Sequence, residues 1–78
     1  MKTTTPTQKQ TIATIEPQIE NLIDQSSAAL VLEAIANVCF AKSEHIEANW
    51  QDRELAKQWA AMASIVATAC SKAQLRKL

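Results

Sequence analysis

Cys39 and His45 are the first candidates for chemistry in this chain, a thiol and an imidazole six positions apart. Six residues of helix turn through about 600°, which leaves the two side chains about 240° apart. They cannot face each other on one helix. A nucleophilic thiol needs its base within hydrogen-bond reach, and it needs a site that shelters the reacting atoms. A glycine-built oxyanion loop is ruled out, because the chain contains no glycine. Metal binding fares no better. One histidine and two cysteines are available, whereas a closed zinc site takes four nitrogen or sulfur ligands at short spacings. Carboxylate di-iron bundles use Glu-x-x-His, and the residue three before His45 is Lys42. The sequence therefore predicts no enzyme, no metal and no cofactor.

A second group has no catalytic logic but could recognise something. Lys42, His45 and Asn49 follow one another at three and four residues, so they fall within about 60° on a helical wheel. Val31 and Val38 lie on the same side in earlier turns. The apolar arc thus turns polar at its end, next to Trp50. One reading is a small polar recognition patch. The plainer reading has precedence: helices commonly emerge from a core at their ends, and these side chains are then simply solvated. Phe40 projects near Glu33, Glu44 and Glu47. It is either a tolerated single aromatic or part of a contact surface. Trp50 sits at an inter-helix turn and is the candidate partner contact, since tryptophan is enriched at binding hot spots. Trp59 lies on an apolar stripe and belongs to the core. The candidate contact set is Phe40, Lys42, His45, Asn49 and Trp50.

These residues sit on a helix that must organise the chain. Leu30, Val31 and Leu32 are consecutive and cover about 200° of a wheel, and Ala34, Ile35, Val38 and Cys39 fall in the same arc. Glu33, Asn37, Glu44 and Glu47 take the other side. An ordinary surface helix has an apolar stripe of little more than about 100°. This central helix, predicted from Ala28 to about Ala48 with Ser26 or Ser27 as its cap, needs neighbours on two sides. A last helix is predicted over about Gln51 to Lys72. Leu55, Trp59, Met62, Ala63, Ile65, Val66, Ala69, Cys70 and Ala73 form its apolar face, flanked by Ala56, Ala60, Ala61 and Ala67, which allow close helix approach. Asn49 and Asp52 resemble a weak capping box at its start. Ahead of both, Ile12, Ile15, Ile19, Leu22 and Ile23 recur at helical spacing, but Pro17 interrupts them. A short first helix starting near Pro17 and ending near Asp24 or Gln25 is the best compromise, with an extended lead-in before it. Residues 1–11 are polar and threonine-rich and are predicted to form a mobile arm. Residues 12–78 form a single helical domain, and no internal repeat stands out.

The fold class is all-α: a short N-terminal helix and a long antiparallel hairpin. One hairpin cannot cover the arc of the central helix, so two copies are expected to dimerise into a helical bundle. Absence of glycine also excludes phosphate-cradling loops and the dinucleotide fingerprint. A formal net charge of zero lacks the footprint of a nucleic-acid binder. No apolar run approaches the roughly 18 residues of a membrane span, and the first ten residues lack the apolar core of a secretory signal. Cys39 and Cys70 read as buried thiols in a reducing cytoplasm. Acids are confined to residues 16–54, and bases gather toward the end of the last helix.

From Val31 to Trp59 the chain is similar to short helical proteins of cyanobacterial genomes with an EHI-x-x-NWQD segment between alanine-rich helices. The matching residues are Glu44, His45, Ile46, Asn49, Trp50, Gln51 and Asp52. The resemblance implies a source and no activity. The sequence as a whole predicts a small, non-enzymatic, cytoplasmic protein–protein interaction module that self-associates as a homodimer, with a protein partner and neither nucleic acid nor membrane. The alternative is a small-molecule-binding regulator using a pocket near Trp50, His45 and Lys42.

Overall fold

The computed structural model describes residues 6–49 and 52–78. They form three helices, α1 (Pro6–Gln25), α2 (Ala28–Asn49) and α3 (Arg53–Leu75). The serine pair between α1 and α2 works as its residue types suggest. Ser26 Oγ donates to the Leu22 carbonyl at 2.7 Å, closing α1. Ser27 Oγ accepts from the Leu30 N–H at 3.1 Å, opening α2 as an N-cap. The cap of α3 is Asp52 and not the expected Asn49, which ends α2: Asp52 Oδ1 accepts from the Leu55 N–H at 3.1 Å. Among the described residues no single helix is long and apolar enough to cross a membrane.

The first helix differs from the sequence expectation. It does not begin near Pro17. It begins at Pro6 and runs for 20 residues, with Pro17 inside it. Residues 6–11, expected in a mobile arm, form its first turns, and residues 1–5 lie outside the described residues. Pro6 explains the start, because a proline at the first helical position gives up an N–H that has no partner there anyway. Pro17 leaves the Ala13 carbonyl without its helical donor. Ala13 is exposed, so water can take that place. Thr14 Oγ1 donates to Gln10 O at 3.0 Å and Gln18 Nε2 to Thr14 O at 3.2 Å, bracketing the interrupted bond. A surface helix thus accommodates a proline that a buried one would not.

α2 and α3 form the expected antiparallel hairpin. Its buried line consists of small residues at seven-residue intervals. Ala29, Ala36 and Ser43 are buried on α2, and Ala56, Ala63 and Cys70 on α3. Three residues further along each helix run Leu32, Cys39 and Ile46, and Trp59, Val66 and Ala73, all buried or half-buried. This is a heptad seam with small residues at one of its two positions. Two bonds fix its register. Ser43 Oγ donates to the Ala56 carbonyl at 2.7 Å, near the connection. Cys70 Sγ donates to the Ala29 carbonyl at 3.2 Å, near the open end. Midway between these clips, the same register sets Ala36 against Ala63. A side chain one atom past Cβ can bond the opposite backbone only where the helices lie very close, which alanine at the facing positions permits.

This seam revises the expected core. Leu55, Met62 and Ile65 were placed on the apolar face of the last helix, yet all three are exposed, Ile65 to 64%. Ala56, expected to flank the stripe, is buried instead. Trp59 is half-buried. On α2, Leu30, Ile35 and Val38 are likewise exposed. No large side chain among the described residues is fully buried. The close approach selects the smallest residues for the contact line and leaves the larger ones beside it. α1 contacts α2 but not α3, and the chain turns through 118° between α1 and α2. α1 therefore leaves the hairpin at an angle instead of lying along it.

The far end of α3 is tied back to the start of α2. Lys77 takes a positive φ of 59°. Lys77 N–H donates to Gln74 O at 3.0 Å and Leu78 N–H to Ala73 O at 3.1 Å, and Leu78 O accepts from the Ala29 N–H at 3.2 Å. This is a Schellman closure with lysine where glycine is preferred. Lys77→Gly is expected to raise stability by about 1 kcal/mol in urea denaturation, the cost of placing a Cβ in the left-handed region. The seam has a sharper test. Ala63→Leu is expected to cost at least ~1–3 kcal/mol by overpacking, whereas Ala61→Leu, at an exposed position of the same helix, is expected to change stability by no more than about 0.5 kcal/mol.

Candidate functional site

Three of the five sequence candidates come together at the end of α2, and each is already engaged. Lys42 Nζ lies 5.4 Å from the centroid of the Trp59 ring on α3. An ammonium over an indole face is held there by the ring's negative quadrupole. Asn49 Nδ2 donates to the His45 carbonyl at 3.0 Å and lies 3.1 Å from His45 Nδ1. The carbonyl can only accept, so the group facing it is the amide N–H2. That same donor requires Nδ1 to accept, which places the proton of a neutral imidazole on Nε2. Asn49 thus orients the ring while ending the helix. Phe40 is 55% exposed and sits two residues from Lys42, about 200° away on the wheel. It does not join the cluster. Trp50 lies outside the described residues.

A shallow groove runs beside the cluster, lined by Val38, Ala41, Lys42, His45 and Ile46, with a volume of about 560 Å3. Its polar groups are Lys42, whose ammonium lies over the Trp59 ring, and His45, whose Nδ1 is engaged by Asn49. A second groove, of about 350 Å3, lies between α1 and α2. Ile19 and Leu22 line it from α1, and Leu30, Val31, Ile35 and Val38 from α2. It is almost wholly apolar. Among the described residues, no three His, Cys, Asp or Glu side chains cluster in a way that could hold a metal ion. Cys39 and Cys70 are free and buried, and the register of the hairpin sets them at different levels along it.

One apolar surface is not visible from single helices. The register of the seam places Ile35 of α2 and Leu55 and Met62 of α3 on the same side of the hairpin, one position before the small residues. Val31, Val38 and Ile65 flank them. Together they make a two-helix apolar platform whose members are all exposed or half-buried. The residues bordering it at the same heptad positions include Lys42, His45 and Lys72 but no acid. Glu33, Glu44 and Glu47 fall on the opposite side. A signal for this surface was present in the sequence: Leu55, Met62 and Ala69 recur every seven residues, one position before Ala56, Ala63 and Cys70. Which of the two parallel lines faces α2 depends on helix approach, so either could have been assigned to the core.

Compared with known proteins, the chain matches no family model, no curated protein and no solved structure.

The Lys42–Trp59 contact has a direct measurement. A double-mutant cycle with Lys42→Gln and Trp59→Leu, followed by urea denaturation, is expected to give a coupling of about 0.5–1 kcal/mol. A coupling near zero would mean that Lys42 is free to bind elsewhere.

Proposed function

We propose that this chain is a small, non-enzymatic helical interaction module that acts by self-association, as a homodimer in the cytoplasm. The surface area of the chain carries this reading. The accessible surface is 6487 Å2, against about 4,700 Å2 for a compact monomer of this mass. If the seven undescribed residues are removed from both figures, at the roughly 160 Å2 that a residue of an unfolded chain exposes on average, about 5,400 Å2 is left against about 4,400 Å2 for a compact monomer of the remaining mass. A standard interface buries about 800 Å2 per partner. An excess of about 1,000 Å2 is the size of one interface, and the exposed large apolar side chains lie on the platform of the hairpin and on the stripe of α1. Two free thiols support the cytoplasmic setting. Kinship with short cyanobacterial helical proteins is part of the same reading and adds no activity to it.

The second reading, a small-molecule regulator, is favoured by the groove beside Lys42 and His45. It stands behind the first because that groove is shallow and lined by few polar groups. Small-molecule sites enclose most of their ligand around a few convergent polar groups.

Sedimentation equilibrium tests the dimer. The expected mass is twice 8.6 kDa at micromolar concentration, and Val38→Asp or Ile65→Asp is expected to raise the dissociation constant at least tenfold. Both positions are more than half exposed in the single chain, so neither variant should lose helicity. A concentration-independent mass of 8.6 kDa would end the proposal.

A further inference from the structure

We infer that the uncovered half of the hairpin platform is covered by helix α1 of a second copy, and that the exchange is reciprocal. This rests on the self-association proposed above and specifies which surfaces meet. The apolar stripe of α1 is longer than the groove it helps to form. Ile19 and Leu22 line that groove on their own chain, but Ile12 and Ile15 do not, and they are 47% and 46% exposed. Ile12, Ile15, Ile19 and Leu22 follow a three–four–three spacing, the pattern of a helix that lays a seam against another. Because the chain turns 118° after α1, the first half of that seam is carried away from its own hairpin. The α3 side of the platform is equally without cover, since α1 does not reach α3 within one chain.

Two arrangements of a second copy would bury apolar surface. Platform against platform covers Met62 and Ile65 but leaves Ile12 and Ile15 in water. α1 across the partner's platform covers both sets at once, and a two-fold axis makes the two contacts identical. Charge favours the second arrangement. Glu16, Glu20 and Asp24 recur every four residues along one flank of α1, and all three are exposed. The platform they would border carries Lys42 and Lys72 and, at its heptad positions, no acid. Two platforms face to face would set these bases against each other. Acidic α1 against the basic platform border pairs opposite charges, which fixes orientation more than it adds affinity. α1 spans about 30 Å at 1.5 Å per residue, similar to the hairpin helices, so it can lie across the platform with Ile12 and Ile15 over α3.

The test is a photo-cross-link in the full-length chain. Position 15 is replaced with p-benzoylphenylalanine, and the protein is mixed with an isotopically labelled native chain and irradiated. Peptide mapping is expected to join the segment around position 15 of one copy to the labelled α3 segment around Met62 and Ile65. A probe at position 12 is expected to give the same inter-copy product. A dimeric mass with cross-links confined to the probe's own chain overturns this pairing and leaves the dimer in place. A monomeric mass overturns both proposals. A second readout addresses charge: Glu16→Lys with Glu20→Lys is expected to weaken self-association about tenfold at low salt with helicity unchanged. An unchanged dissociation constant overturns the inference.

Discussion

The hydrogen bond from Ser43 Oγ to the Ala56 carbonyl can form only where two helix backbones meet with nothing bulky between them. That closeness is the constraint on which the rest of the structure depends. It is repeated at the other end of the hairpin by Cys70 and the Ala29 carbonyl, and the register between the clips sets Ala36 against Ala63. Once the register is fixed at both ends, it decides which lines of α2 and α3 face the seam and which the platform.

A seam of this kind holds two helices firmly but buries little apolar area. An alanine methyl contributes much less to burial than the roughly 1.5–3 kcal/mol of a leucine or phenylalanine. The larger residues, Ile35, Val38, Met62 and Ile65 among them, are left at the edge of the contact, where they still face solvent. A chain of 78 residues has limited stability to spare. Its packing leaves a specific register inside and substantial apolar surface outside.

The residues that looked most like a site are largely spent on structure. Lys42 caps the face of Trp59, and Asn49 closes α2 while orienting His45. Polar residues at a helix end have backbone groups and neighbouring rings to satisfy before they can serve a ligand. The α3 part of the apolar surface, by contrast, has no cover from α1 of its own chain.

Helical class, the hairpin and most element bounds were legible in the sequence. A chain without glycine, with Ser27 ahead of apolar helical periodicity, has few other ways to satisfy its backbone, although the cap of α3 proved to be Asp52 and not Asn49. Pro17 misled, because local rules assign a helix start to a proline, while an exposed helix can leave one carbonyl to water. The sequence by itself also determined that α2 carries more apolar circumference than one neighbour can cover. Tertiary structure decided which residues fill the contact line. Leu55 and Ala56, or Met62 and Ala63, are adjacent on the wheel and equally periodic. Only the distance between helices selects the small line, because two bulky lines would hold the backbones too far apart for Ser43 and Cys70 to reach the opposite carbonyls.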